Sequence, residues 1–168
     1  MNLLTFMKRS LDIGCGSKPK NPFSANELYG IDIRDSIHPA IKVADLNLEN
    51  IPFEDDYFDA VTCYDFIEHV PRILYTPERR FPFICIMNEI FRVLKTGGLF
   101  LSFTPAFPKA PAWRDPTHVN IITDETFPLY FCEPEYSARM YGFNGNFSLI
   151  EQRWDPDNIH LISILKKI

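Results

Sequence analysis

The apolar positions of the chain fall into short blocks rather than one continuous stripe. Residues 8 to 13, Leu28 to Ile33 (LYGIDI), Ile41 to Ala44, Asp59 to Tyr64 and Leu99 to Thr104 are bounded by Gly, Pro, Asn or Asp, the pattern of buried strands. One segment has a different period. Phe83, Ile86, Met87, Ile90, Phe91 and Leu94 recur about one helical turn apart, with Lys95 near the end and Gly97 and Gly98 as a stop, which predicts a core helix closed by the Gly-Gly pair. Asn146 to Trp154 and Asn158 to Lys166 read as two further strands joined by the turn Asp155-Pro156-Asp157. Strands alternating with helical or loop crossovers predict an α/β domain on a parallel sheet, with its ligand at the strands' carboxyl edge.

The connections refine this picture. Pro19 and Pro22 leave no room for a long helix after the first strand. Glu49 to Phe58 reads as a polar loop ending in the aromatic pair Tyr57 and Phe58. Pro105 to Gly145 is the least regular stretch, with one helix start at Thr123-Asp124-Glu125-Thr126 running into Phe127 to Phe131. The 14 prolines and 15 phenylalanines concentrate between Pro71 and Pro134, which predicts long shaped loops over the active face.

At 168 residues the chain is one domain by length, long enough for a single core. An apolar share of 46% and a formal net charge of −5 argue for an ordinary soluble protein and against a broad nucleic-acid-binding face. The pairs Lys8 and Arg9, Lys18 and Lys20, and Arg79 and Arg80 read as solvated surface charge. Cys15, Cys63, Cys85 and Cys132 lack C-x-x-C spacing, which predicts reduced thiols and a cytoplasmic location. The amino-terminal MNLLTFMKR places its charges after a short apolar run, the reverse of a secretory signal, and no stretch approaches a membrane span.

The stretch Ser10 to Ser17 (SLDIGCGS) organises the chemistry. A strand running into Gly14 and Gly16 brings backbone N–H groups, with no Cβ in the way, against a ligand at its carboxyl end. Lys18 stands where a dinucleotide fingerprint needs its third glycine, which disfavours a nicotinamide-dependent oxidoreductase. Asp12 lies two residues before Gly14, where its carboxylate can reach an amino group or bind the loop's own N–H groups. Leu28 to Ile33 carries Asp32, Ala44 to Leu46 carries Asp45, and IPFEDDYFDAVTCYDFIEHV and EIFRVLKTGGLFLSFTP follow in order. Together these blocks resemble the motifs of class I S-adenosylmethionine-dependent methyltransferases over residues 8 to 105.

The resemblance implies a Rossmann-like three-layer α/β sandwich, with a mostly parallel seven-stranded sheet whose last strand is antiparallel. It implies a single domain over 1–168, with a cofactor-binding half at 1–105, a substrate region at 106–145 and a closing hairpin at 146–168. It places Asp12, Gly14, Cys15 and Gly16 at the methionine end of S-adenosylmethionine, Asp32 with Ile33 at the ribose, Asp45 with Leu46 at the adenine, and Tyr64 beside the transferring methyl. Methyl transfer is an in-line displacement that mostly needs two reactants held close and aligned. The expected acceptor is an oxygen or nitrogen of a small molecule or sugar-containing compound, and the expected state a monomer or homodimer.

Asp65, His69 and His118 are the candidate catalytic residues. In the sequence DFIEH, positions i, i+3 and i+4 share one face of a helical turn, so Asp65, Glu68 and His69 are expected together, with His118 of WRDPTHVN completing the set. The pattern resembles the divalent-metal motif of small-RNA 2′-O-methyltransferases and of a ubiquinone-pathway O-methyltransferase, with Asp65 in place of the longer Glu. A metal there would orient and acidify a hydroxyl acceptor. Without metal, His118 is an acid or base acting alone, with Asp115 either orienting it or capping a turn after Arg114. Competing readings are a methyltransferase-like partner subunit without activity, against which the acidic residues at 12, 32 and 45 argue, and an RNA methyltransferase, which charge does not support.

Overall fold

The computed structural model describes residues 8–168, so the reading of the amino-terminal MNLLTFM falls outside the described residues. Seven strands form one sheet in the order β3-β2-β1-β4-β5-β7-β6. They are β1 (Arg9–Ile13), β2 (Glu27–Asp32), β3 (Ile41–Val43), β4 (Phe58–Tyr64), β5 (Leu94–Pro105), β6 (Phe147–Trp154) and β7 (His160–Lys167). The first five strands pair in parallel. The last strand, β7, runs antiparallel between β5 and β6, so the closing hairpin has the expected sense. No helix of the described residues is long and apolar enough to cross a membrane.

Central position explains the composition of β1, which is flanked by β2 and β4. Ser10, Leu11, Asp12 and Ile13 are all buried, as a strand covered on both faces requires. The connections 14–26, 33–40 and 44–57 contain no helix, in keeping with Pro19 and Pro22 in the first of them. Among the described residues the α-helices lie in later crossovers: α1 (Pro82–Val93), α2 (Pro111–Arg114) and α3 (Thr126–Phe131). Pro82 opens α1, where its fixed φ suits the first turn. Phe83, Ile86, Met87, Ile90 and Val93 then place one stripe of α1 in the core, against Phe127 and Phe131 from α3.

The Gly-Gly stop is not where the helix ends. The helix closes at Val93 and β5 begins at once with Leu94, leaving Gly97 (φ +81°) and Gly98 inside β5, where the pairing with β4 shifts register. The physical reason is tertiary. Helix ends leave backbone carbonyls unpaired, and here the backbone N–H groups of Asp56 and Tyr57 donate to Arg92 O and Val93 O at 2.9 Å each. The ammonium of Lys167 takes Phe91 O at 2.8 Å and Leu94 O at 2.6 Å, and also meets Asp56 Oδ1 at 2.8 Å. No glycine cap is needed. Lys167→Met keeps the stem but leaves two carbonyls without a partner, so a loss of about 2 kcal/mol is expected in urea unfolding; an unchanged midpoint would show that water replaces the ammonium.

Candidate functional site

At the sheet's carboxyl edge, between β1 and β4, the crossovers change direction, which is the position where open α/β sheets hold ligands. The chain arriving there is tightly fixed. Gly14 (φ +68°) and Gly16 (φ +62°) both occupy the left-handed region, and the N–H groups of Gly14 and Cys15 donate to Ile31 O at 2.8 and 3.1 Å. Asp12 is 1% exposed. Its Oδ1 accepts from Thr62 Oγ1 at 2.7 Å and its Oδ2 from the Lys20 backbone N–H at 2.8 Å. Of the two roles open to Asp12, the structure shows the second: its carboxylate ties the far end of the loop to the strand, and burial raises its pKa.

Asp32 ends β2 beside the loop. Its Oδ2 accepts from the Gly16 backbone N–H at 2.8 Å, and its carboxylate also meets the backbone and guanidinium of Arg34. The Arg34 hydrogen bonds outweigh desolvation and hold the Asp32 carboxyl down to about 2. Ile33 is exposed. Cys15 packs its sulfur against Gly30, and burial followed by the nearby carboxylates of Asp12 and Asp32 pushes its thiol up to about 11. Asp45 is half-buried and accepts from the Asn47 N–H at 3.0 Å, whereas the Leu46 side chain belongs to the core. Tyr64, at the end of β4, lies under the Lys20 ammonium, which is 4.1 Å from its ring centroid. Gly14, Gly16, Asp32 and Tyr64 are thus gathered at one edge, and Leu46, past the end of β3, offers that edge only its backbone because its side chain is in the core.

Beyond Tyr64 the edge opens into a cavity of about 330 Å³ lined by Asp65, Glu68, His69, His118 and His160, among others. The expectation that Asp65 shares a helical face with Glu68 and His69 is corrected. Only Ile67–His69 is helical, and Asp65 stands before it at φ +50°, so its side chain leaves in another direction. Its Oδ1 meets His160 Nε2 at 3.1 Å instead. The other three candidates do converge, each with one ligand atom within 4.8 Å of the others. Glu68 is 1% exposed; its Oε2 accepts from Thr104 Oγ1 at 2.7 Å and its Oε1 has no hydrogen-bond partner.

A count of protons assigns the two rings beside Glu68. Thr117 has one hydroxyl proton, and it goes to Asp115 Oδ1 at 2.7 Å, because a carboxylate only accepts. His69 Nδ1, 3.0 Å from Thr117 Oγ1, must then donate. His118 Nδ1 lies 3.0 Å from Pro111 O and must donate as well. Each neutral ring therefore keeps its lone pair on Nε2, and both rings line the cavity together with Glu68, whose Oε1 is unpaired. Asp115 also accepts the Thr117 N–H at 2.8 Å and stands 3.9 Å from His118 Nε2, so of its two expected roles the turn cap dominates.

His160 has no signal in the sequence patterns, and the fold brings it into this cavity. It starts β7 opposite Pro105 and stacks on Phe103 with centroids 4.2 Å apart. Its Nδ1 faces Asp155 Oδ2 at 3.2 Å, and Asp155 is itself fixed by the N–H groups of Ile159 and His160. The aromatic residues of the irregular stretch divide in function. Phe127 is fully packed, whereas Tyr130, Phe131 and Tyr141 line a separate cavity of about 420 Å³ with Arg72 and Phe81. A further groove, about 820 Å³, is lined by Tyr29, Phe53, Tyr57 and Arg92 near the start of β4, and holds none of the expected site residues.

Residues 11–102 match the family described as "Methyltransferase domain". The chain is similar to the ubiquinone/menaquinone biosynthesis C-methyltransferase UbiE of Bartonella tribocorum, 38% identical over 82 residues, which is 49% of this chain and 27% of that protein. It spans between 22% and 48% of the length of the first curated relatives that it matches. Among solved structures, the cyclase SpnF superposes with a TM-score of 0.64 at 15% identity, covering 95% of this chain and 74% of that one. An S-adenosylmethionine-dependent methyltransferase from Mesorhizobium loti superposes with a TM-score of 0.60 at 13% identity, covering 96% and 91%. At these identities the structural likeness speaks to the fold.

Proposed function

The chain belongs to the methyltransferase-domain family, the class I S-adenosylmethionine-dependent group, and from that premise we propose that it binds this cofactor at the glycine loop and methylates a small molecule held in the histidine-lined cavity. One observation carries the reading. The carboxylate of Asp32 is bound to the Gly16 N–H at the carboxyl ends of two adjacent central strands, which is where a nucleoside meets both a backbone cradle and an acceptor for its diol.

The residues fit the cofactor, since only the exposed Arg34 side chain borders the Cβ-free side of Gly16, and Asp32 is buried and ionised. When bound, S-adenosylmethionine supplies an electrophilic methyl group. The N–H groups of Gly14, Cys15 and Gly16 are taken by Ile31 O and Asp32, so the loop would hold the cofactor's amino-acid end through backbone carbonyls rather than the expected N–H groups; Asp32 with Ile33 would hold its ribose, Asp45 and the Leu46 backbone its adenine, and Tyr64 would wall the site next to the acceptor. With no metal bound, His118, whose Nδ1–H is anchored on Pro111 O, takes a proton at Nε2. Asp65 and His160 orient a hydroxyl or amine within reach of it. The acceptor atom is accordingly an oxygen or nitrogen of a small-molecule or sugar-containing compound. The name of the Bartonella relative favours carbon on a quinone-type ring as a second reading. Four unpaired cysteines support a reducing, cytoplasmic setting.

Tritium-labelled methyl transfer to a catechol, a nucleoside diol and a naphthohydroquinone tests these readings. Label on a heteroatom of the first two supports the main reading, label on ring carbon supports the second, and no transfer to any acceptor counts against both.

The orphaned Glu68 oxygen and the two free imidazole lone pairs favour a divalent cation at Glu68, His69 and His118. Magnesium, manganese or zinc titrated into the protein should give saturable heat that Glu68→Gln abolishes; no heat with any of them contradicts the site. In the metal-free protein the same substitution should raise the thermal midpoint by a few degrees, because burial makes ionised Glu68 costly and raises its pKa. The sign follows. Protonated Glu68 suits the fold, so wild type carries the penalty near pH 7 and the difference closes as the pH falls towards the ordinary carboxylate range.

A further inference from the structure

We propose that Arg34 occupies the ribose position on Asp32 and so sets how tightly the glycine loop binds a nucleoside ligand. The inference rests on the reading of this loop given above, and deepens it. A carboxylate offers about four acceptor positions, and on Asp32 the chain itself uses four donors. Oδ1 accepts from the Arg34 backbone N–H at 3.0 Å and from Arg34 Nε at 2.8 Å, and Oδ2 accepts from the Gly16 N–H at 2.8 Å and from Arg34 Nη2 at 3.2 Å. The two backbone donors belong to the folded loop and stay. The other two come from a guanidinium whose side chain is 74% exposed, while the carboxylate beneath it is 6% exposed.

A vicinal diol brings two O–H donors and needs the two positions that the guanidinium fork holds. Diol and fork therefore exclude one another on Asp32. A second observation has the same sense. Nη2 of Arg34 lies 3.4 Å from where a Cβ on Gly16 would stand, so the guanidinium covers the open side of the second loop glycine, the side from which a ligand approaches the backbone. A ligand binds only to the fraction of molecules in which Arg34 has swung away, and its apparent affinity falls by that fraction. With one partner exposed, the pair is worth about three- to tenfold in an equilibrium constant. Salt screens the pair, and raising it from about 20 mM to about 500 mM shortens the screening length several-fold.

Calorimetric titration of S-adenosylhomocysteine into wild type, Arg34→Ala and Arg34→Met, at both salt concentrations, tests this directly. Both variants are expected to bind about three- to tenfold more tightly than wild type at low salt. Wild-type affinity should rise with salt towards theirs, while theirs changes little. Equal or weaker binding by the variants, or the same salt response in all three proteins, overturns the role of Arg34 and leaves the cofactor site standing. Binding by the variants but not by wild type supports it in its strongest form. No binding by any of the three overturns the cofactor reading, and the role of Arg34 with it.

Discussion

Gly14→Ala is expected to lower the stability of the fold by about 3 kcal/mol and to remove binding of S-adenosylhomocysteine. Two costs add at this position. The residue sits at φ +68°, where any L side chain pays about 1–2 kcal/mol. The new methyl would also lie 2.6 Å from Phe66 Cδ2 and 2.9 Å from Phe66 Cγ, both atoms of a ring wedged between the end of β4 and the turn that carries Glu68 and His69. Displacing a packed ring of this kind costs about 1–3 kcal/mol. Phe66 stands in the chain between Asp65 and the Ile67–His69 turn, so its displacement disturbs both the loop and residues that line the histidine cavity. Urea unfolding together with calorimetry checks the outcome. Near-wild-type stability with intact binding would mean that Phe66 swings clear and does not pin the loop.

The second large effect is expected at Asp32. Asp32→Ala should weaken S-adenosylhomocysteine binding by at least about a hundredfold, since hydrogen bonds to a charged group are worth about 1.5–3 kcal/mol each and a diol makes two. It also strips the Gly16 N–H of its acceptor, which loosens the loop before any ligand arrives. The substitution has a signature in acid as well. The Asp32 carboxyl is held down to about 2, chiefly by its hydrogen bonds with Arg34. A depressed carboxylate contributes stability that is present above the ordinary value near pH 4 and is lost as the pH falls through about 2. Asp32→Ala should therefore be less stable than wild type near neutrality, with the gap narrowing across that window in pH-dependent urea unfolding. A constant gap from pH 7 to 2 would show that the carboxylate is not engaged in solution.

The sheet and the glycine loop were legible in the sequence because they rest on local rules. Apolar blocks bounded by turn residues mark β1 to β5, G-x-G at the end of a strand marks the loop, and the prolines after it forbid a helix. The end of α1 was not legible in the same way. Gly97 and Gly98 look like a helix stop, but the carbonyls that a glycine cap would serve are paired by Lys167 and by the backbone of Asp56 and Tyr57, and Lys167 is more than seventy residues further along the chain.

Long-range placement explains the site residues too. Helical spacing put Asp65 with Glu68 and His69, and one left-handed residue before a short turn sends it to His160 instead. His160 and Asp155 come from the closing hairpin, whose pairing with β5 alone brings them to the cavity. Arg34 was within reach of the sequence, two residues past Asp32 on the same loop, where an exposed guanidinium returns to the nearest buried carboxylate.

Binding of S-adenosylhomocysteine to the wild-type protein, followed residue by residue through backbone amide chemical shifts, tests the central claim most directly. Saturation at one ligand per chain is expected below about 100 μM. The largest shifts should fall on Gly14, Cys15, Gly16 and Arg34, with smaller ones at Tyr64 and Asp65. No saturable change up to millimolar ligand, or shifts confined to the groove around Tyr29, Phe53 and Tyr57, would contradict it.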